Sequence, residues 1–194
     1  NPDYFAVQVM NEVLGGSFAS RMFSNVRSKK GLSYNVFGYV GSGFLHPGVL
    51  RAGLQTKAGS MAAGGEAVKA ELSGIVENPP GDDEMKRAKD AILNSFVFNY
   101  DSRAKILRQQ MAYAFYGLPS DFLDRYRADI EKVTREDVAR VARKYVQPGR
   151  LTLLVIGKSA DFDRPLSDFG EVRELDIAIP SPPPREPKAL KPAA

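Results

Sequence analysis

Arg27 and Tyr34 are the residues of this chain whose types and spacing could perform chemistry together. The stretch that joins them reads Arg-Ser-Lys-Lys-Gly-Leu-Ser-Tyr. The arginine ends a predicted helix, Gly31 is placed to stop that helix, and the tyrosine stands on the strand predicted to follow. An arginine offers a fixed fork of N–H donors to a peptide carbonyl or a carboxylate. A tyrosine hydroxyl can donate to the oxyanion that forms when water attacks that carbonyl.

Each of the two residues also has an ordinary structural interpretation. An arginine near a helix C-terminus often complements the helix dipole, and a tyrosine on a strand often packs in a sheet. The structural interpretation predicts Tyr34 in the core and Arg27 paired with a local carboxylate. The chemical interpretation predicts both side-chain tips exposed on the same side of the molecule, in a concave surface.

Helices and one hairpin are predicted to position the pair. An apolar helix over 4–14 ends at Gly15-Gly16, and a second helix runs from about 18 to 30. Residues spaced i, i+3, i+4 and i+7 form the predicted buried face of this second helix: Ala19, Met22, Phe23 and Val26. A strand over 32–40 alternates, and a strand over 49–56 returns antiparallel to it. The alternation places four residues of the first strand on one face: Leu32, Tyr34, Val36 and Val40.

The second half of the chain predicts more helices and a final strand. Helical patterns continue to Tyr145, and the continuous apolar run over 151–156 predicts a strand central in a sheet. The pattern weakens beyond Lys158, and residues 180–194 hold six prolines. We therefore predict one domain over 1–158 and a C-terminal extension over 159–194, with a proline-rich tail from 180.

Composition excludes several classes of protein. The 194 residues suffice for one good-sized core, and 43% hydrophobic with 26% charged residues is typical of globular proteins. A net charge of +4 mildly favours acidic partners. Basic and acidic residues alternate, however, so nucleic-acid binding is not predicted. No apolar run is long enough for a membrane span. Cysteine is absent, which fits a reducing or an oxidising compartment, so the bacterial periplasm and cytoplasm both stay open.

The single histidine limits the metal chemistry available to this chain. A catalytic zinc normally takes three protein ligands, often including two histidines, and the motif His-x-x-Glu-His needs two on one helix. This chain has only His46, followed by Pro47-Gly48 in a predicted turn. We therefore predict no metal ligand and no cofactor site in the chain, and we expect the isolated chain to be inactive.

The residues around the pair carry a family resemblance. Residues 14–23 read Leu-Gly-Gly-Ser-Phe-Ala-Ser-Arg-Met-Phe. Together with the stretch from Arg27 to Tyr34, they resemble the signature of the C-terminal, non-zinc half of the M16 (pitrilysin-like) metallopeptidases. The resemblance runs from about Asn1 to Lys158, and its later parts are less specific than the Arg27–Tyr34 region.

The resemblance implies an α+β fold, with helices packed on one face of a mainly antiparallel sheet. In the family, two strands normally precede the helix that opens this chain. The chain begins at Asn1 without an initiating methionine, so we expect a fragment or a processed product whose domain lacks its opening strands. An open sheet edge would then pair with another chain or self-associate.

The resemblance also implies a function. In the family, one half binds zinc and activates water, while the other closes over a peptide bound as an added strand. By this analogy Arg27 and Tyr34 are supplied to the zinc site of a partner domain or subunit. Some family members have lost catalysis and act as scaffold or processing-partner subunits, which is the alternative function. An unrelated α+β binding domain is a third possibility.

Overall fold

A computed structural model describes residues 1–119 and 121–178 of the chain. In chain order these residues form two strands and six α-helices, with shorter helical turns between them. The strands are β1 (Asn35–Val40) and β2 (Leu50–Gln55). The helices are α1 (Tyr4–Asn11), α2 (Met61–Glu77), α3 (Asp82–Phe96), α4 (Arg103–Tyr116), α5 (Phe122–Lys132) and α6 (Arg135–Tyr145). The fold is α+β, as the sequence predicts.

β1 and β2 form an antiparallel hairpin in which Asn35 lies opposite Gln55 and Val40 lies opposite Leu50. Residues of β1 alternate between exposed and buried positions, as expected for a strand with one face on a core. The buried face consists of Val36, Gly38 and Val40. The hairpin confirms the predicted strand pair but begins later, so Tyr34 precedes β1 and does not share its buried face.

The helical layer meets the hairpin through a close backbone approach. After α1 the chain continues as a π-helical turn, Glu12–Gly16. A Cβ atom added at Gly15 would lie 2.3 Å from the backbone nitrogen of Gly38, so any side chain there would force the turn away from β1. Gly15 and Gly38 allow Leu14 and Met22, both fully buried, to pack beside β1.

The core joins α1, the hairpin, α2, α3, α5 and α6. Its largest fully buried side chains are Met10, Leu14, Met22, Leu72, Ile75 and Ile130. The predicted buried face of the second helix is only half correct. Met22 and Val26 are buried, whereas Ala19 is exposed and Phe23 is half-buried. The helix there is the π-helix Phe23–Lys29, whose wider turn rotates these residues away from the face that an ideal α-helical spacing predicts.

A buried carboxylate ties α1 to α6. Asp3 accepts hydrogen bonds from Arg140 at 2.5 Å, Lys144 at 2.7 Å and the Tyr145 hydroxyl at 2.8 Å. These donors, of which Lys144 has the largest effect, hold the pKa of Asp3 well below its usual range despite its burial. The N-terminus of the first helix is thereby fixed to the C-terminal turn of the last.

Contacts divide the chain into two units, residues 1–164 and the residues from 165 onward. Within the first unit, Asp163 accepts hydrogen bonds from the backbone N–H groups of Ala62 and Ala63 at the start of α2. This carboxylate satisfies donors that a helix N-terminus leaves open, and those bonds lower the pKa of Asp163. The predicted domain boundary at 158 stays a prediction, and the proline-rich tail from 180 lies outside the described residues.

The prediction of a central strand over 151–156 is wrong for this structure. These residues have neither helical nor strand structure, and Leu154 and Ile156 are 70% and 87% exposed. A continuous apolar run becomes a central strand only where neighbouring strands pair with it on both sides. Among the described residues, β1 and β2 pair with each other alone.

Candidate functional site

The site around Arg27 is built by the end of the Phe23–Lys29 helix. Gly31 adopts a left-handed backbone conformation with φ of +62°, which glycine accepts without a steric cost. The N–H of Gly31 donates to the Arg27 carbonyl, and the N–H of Leu32 donates to the Val26 carbonyl, both at 3.1 Å. These bonds reverse the chain just after the helix and bring Tyr34 back beside it.

Arg27 and Tyr34 are in direct contact. The guanidinium carbon of Arg27 lies over the Tyr34 ring, 4.4 Å from its centroid. It also lies over the Phe23 ring at 4.2 Å and farther from the Phe18 ring at 5.9 Å. The two phenylalanine rings meet edge to face at 4.7 Å. The arginine is thus oriented by aromatic rings, to which a cation is attracted.

The exposure of Arg27 and Tyr34 bears on the two interpretations drawn from the sequence. Tyr34 is 82% exposed and stands outside the core. Arg27 is half-buried, and the ion pairs found among the described residues do not include it. The structure therefore brings the two predicted site residues together on one side, without the core packing or the carboxylate partner that a purely structural role predicts.

Two members of this cluster were not predicted from sequence. The helical spacing predicts Phe23 on the buried face of its helix, and it indicates no role for Phe18, which is 79% exposed. One signal could have identified Phe23, since it precedes Arg27 by one helical turn, a spacing at which side chains meet. We call Phe18, Phe23, Arg27 and Tyr34 the Arg27 cluster.

Two further basic residues stand at the end of the helix that carries Arg27. Lys29 and Lys30 are exposed at the end of the same helix. Lys29 donates to the Asn25 side chain at 3.0 Å, and Asn25 donates in turn to Glu71 at 3.0 Å. An electron-rich group, such as a carbonyl or carboxylate, is therefore the ligand that this cluster favours.

Arg21, on the same segment of chain, has a different environment. Its Nε and Nη2 donate to the two carboxylate oxygens of Glu84 at 2.7 and 2.8 Å. Its Nη1 donates to the carbonyls of Gly74 and Asn78 at 3.2 and 2.9 Å. This pairing, together with a bond from the Gly81 N–H, lowers the pKa of Glu84 despite partial burial. Arg21 links the first helical segments to α2 and α3.

The described residues offer no place for a catalytic metal. Residues 1–119 and 121–178 contain no group of three histidine, cysteine, aspartate or glutamate side chains that could hold an ion. His46 is exposed in the β1–β2 connection, where its Nδ1 lies 3.1 Å from the Pro47 carbonyl oxygen. No helix in this part of the chain is long and apolar enough to cross a membrane.

Known proteins resemble this chain in sequence and in structure. Residues 1–92 match the family described as Peptidase M16 inactive domain. An uncharacterized zinc protease of Streptomyces coelicolor is 31% identical over 157 residues, which cover 81% of this chain and 34% of that protein. A non-peptidase homolog of Helicobacter pylori is 27% identical over 150 residues, covering 77% of this chain and 34% of that protein. The chain thus spans about a third of the length of these curated relatives.

A crystal structure supports the same assignment. The peptidase M16 inactive domain from Pseudomonas fluorescens superimposes with a TM-score of 0.69 at 30% identity, covering 76% of this chain and 35% of that one. The region that matches the family model, residues 1–92, includes Arg21, Arg27 and Tyr34. Residues 1–92 of this chain therefore match the M16 peptidase inactive-domain family, and the fold of the chain is similar to that of the solved M16 inactive domain.

Proposed function

We propose that this chain is the substrate-binding half of a zinc-dependent M16 metalloendopeptidase, which closes over a peptide and supplies Arg27 and Tyr34 to a zinc site in a partner domain or subunit. The observation that carries the proposal is the orientation of Arg27 together with the exposure of Tyr34. Arg27 is held over Tyr34 and Phe23 without a carboxylate partner among the described residues, and Tyr34 is 82% exposed.

The chemistry of the two side chains suits that role. Stacking orients the Arg27 guanidinium while leaving its N–H donors available to a substrate carbonyl or carboxylate. The Tyr34 hydroxyl can donate to the oxyanion that develops as the peptide bond is attacked. Zinc held by the partner half would supply the activated water, and the described residues of this chain hold no ligand group for it.

A scaffold or processing-partner subunit is the second candidate function. One relative is named a zinc protease and another a non-peptidase homolog, so the family region occurs in proteins of both descriptions. The exposed Arg27–Tyr34 contact favours the catalytic assembly, because a scaffold needs neither an oriented guanidinium nor an exposed phenol.

The test is steady-state cleavage of a quenched-fluorescent peptide by this chain combined with its zinc-bearing half. Tyr34→Phe should lower kcat by about a hundredfold, because a donor to the developing oxyanion acts in the transition state. Arg27→Ala should also raise KM, since its fork would contact the substrate before reaction. Tyr116→Phe, which removes a partly exposed phenol on α4, is the matched control and should leave kcat unchanged.

Three results would contradict the catalytic proposal. One is unchanged kcat in both cluster variants with thermal melts intact, which would leave the scaffold function ahead. Another is peptide cleavage by the isolated chain. The third is stoichiometric zinc in a dialysed sample of this chain, at a site of ordinary catalytic geometry.

A further inference from the structure

The outer face of the β1–β2 hairpin is uncovered and has a distinct composition. Opposite residues in the register share a face, and Val36, Gly38 and Val40 point into the core. The outer face therefore consists of Asn35, Phe37, Tyr39, Arg51, Gly53 and Gln55.

Phe37 forms a flat apolar shelf on this face. It lies opposite Gly53, and a Cβ atom added there would be only 3.1 Å from the Phe37 Cζ. The ring thus covers the space that a side chain at position 53 would occupy. Tyr39 follows two residues later, with its ring 6.0 Å from that of Phe37 and tilted by 36°. Both residues are 39% exposed, so the shelf is open to solvent.

The charge on the face indicates what the shelf would accept. Arg51 is exposed and lies opposite Tyr39. The face carries no carboxylate, and Arg51 has no ion pair among the described residues. An aromatic shelf beside an unneutralised arginine favours a ligand that has an apolar side chain and a carboxylate close together.

The spacing defines the ligand further. Phe37 and the cross-strand pair of Tyr39 and Arg51 are two residues apart along the hairpin, which corresponds to a separation of about 7 Å. An extended peptide presents side chains on one face at the same period of two residues. A peptide lying along the hairpin could therefore place an aromatic side chain on Phe37 and a carboxylate two residues away on Arg51. Tyr34 directly precedes β1, so this surface begins beside the Arg27 cluster.

We propose that this outer face is a specificity site for extended peptides that carry an aromatic residue and an acidic residue two positions apart. The inference rests on the proposed function, because it assumes that the chain meets a peptide near the Arg27 cluster. It adds a side-chain preference to that function and assigns it to Phe37, Tyr39 and Arg51.

Fluorescence anisotropy with the full 194-residue chain tests the site directly. The probe is a labelled seven-residue peptide of serine and threonine with phenylalanine at its third position and aspartate at its fifth. Two control peptides carry serine for the phenylalanine or asparagine for the aspartate. We expect both controls to bind more weakly, by about tenfold for the lost ring and a few-fold for the lost charge.

Variants of the chain identify the residues responsible. Phe37→Ser should weaken binding of the probe about tenfold, and Arg51→Gln should remove the preference for aspartate over asparagine. Gly53→Ala keeps every aromatic group but displaces the Phe37 ring, so it should also weaken binding. Leu153→Ser replaces another exposed apolar residue outside the face and should change nothing.

Equal binding of the three peptides, or undiminished binding by both Phe37→Ser and Gly53→Ala, would overturn the specificity site. The cleavage assay with Tyr34→Phe separates this outcome from a failure of the proposed function. Unchanged kcat in Tyr34→Phe, with weakened peptide binding in Phe37→Ser, would retain the specificity site and remove the catalytic role of the Arg27 cluster.

Discussion

Two arginines, six positions apart on one segment of chain, have opposite environments. Arg21 donates to both oxygens of Glu84 and to two backbone carbonyls. Arg27 lies between the rings of Phe23 and Tyr34, and none of the ion pairs among the described residues includes it. Arg21 joins three helical segments, whereas Arg27 ends at the surface beside an exposed phenol.

The comparison shows that two residues of the same type on one segment can have different environments, from which we expect different effects. A guanidinium whose donors are all engaged contributes to stability, and its removal leaves partners unpaired. A guanidinium that is oriented but unpaired contributes little to folding and keeps its donors for another molecule. We expect stability and peptide cleavage to respond to these two arginines in opposite ways.

Replacement of Arg21 should have the largest effect on stability. Arg21→Ala removes four hydrogen bonds and leaves Glu84 partly buried without its cation, which should cost about 3 kcal/mol in the free energy of unfolding. Urea unfolding monitored by circular dichroism measures this cost. Glu84→Ala is the matched partner variant, and the double variant should be less destabilised than the sum of the two. Strict additivity would contradict the pairing.

Asp3 should show the next largest effect, and the effect should depend on pH. Asp3→Asn should cost about 1–2 kcal/mol at pH 7, since Arg140, Lys144 and Tyr145 lose a charged acceptor but stay close to solvent. The lowered pKa of Asp3 means that its contribution is complete above the unfolded-state pKa of about 3.9. That contribution is lost as the pH falls towards the folded-state pKa.

Urea unfolding of both proteins at pH 7 and at several values below pH 4 checks this dependence. The difference in unfolding free energy between wild type and Asp3→Asn should be constant above about pH 5 and should shrink below pH 4. A difference that grows on acidification would contradict the account of this network.

Arg27 should have a small effect on stability. Arg27→Ala removes contacts between a half-buried cation and aromatic rings near the surface, which are typically worth about 1 kcal/mol. The same urea experiment measures the change in the free energy of unfolding for Arg27→Ala and for Arg21→Ala. A loss as large as that of Arg21→Ala would assign Arg27 a structural role.

Self-association through the open sheet edge should be the weakest effect. Among the described residues the sheet has only the two strands of the hairpin. The apolar run over 151–156, towards the end of the predicted domain, is exposed. We expect the sedimentation coefficient to rise with concentration, because unpaired edges and exposed apolar runs recruit partners. Leu154→Lys combined with Ile156→Lys should reduce this rise, and a concentration-independent monomer would contradict the expectation.

Local patterns were sufficient to predict much of the fold. The alternation around Val36 and Val40 predicts β1 and its return strand, and Gly31 predicts the end of the helix before them. These features depend on neighbours close in sequence. The prediction of a strand over 151–156 is wrong because a strand also needs partners elsewhere in the chain, which its own residues cannot specify.

The site was predictable in part for the same reason. The spacing of Arg27, Gly31 and Tyr34 predicts their proximity, and the structure shows the contact. The aromatic support from Phe18 and Phe23 was not predicted, because a π-helical turn changes which residues face the core. The different environments of Arg21 and Arg27 depend on α2 and α3, about fifty or more residues away in sequence.

The most direct test measures peptide cleavage and unfolding for Arg27→Ala and Arg21→Ala in the chain combined with the zinc-bearing half that the proposed function requires. We predict that Arg27→Ala lowers kcat/KM by about a hundredfold with an almost unchanged urea midpoint. Arg21→Ala should lower the midpoint while the folded fraction keeps kcat/KM close to that of wild type. Unchanged kcat/KM in Arg27→Ala, or losses of activity that simply follow stability in both variants, would contradict the account.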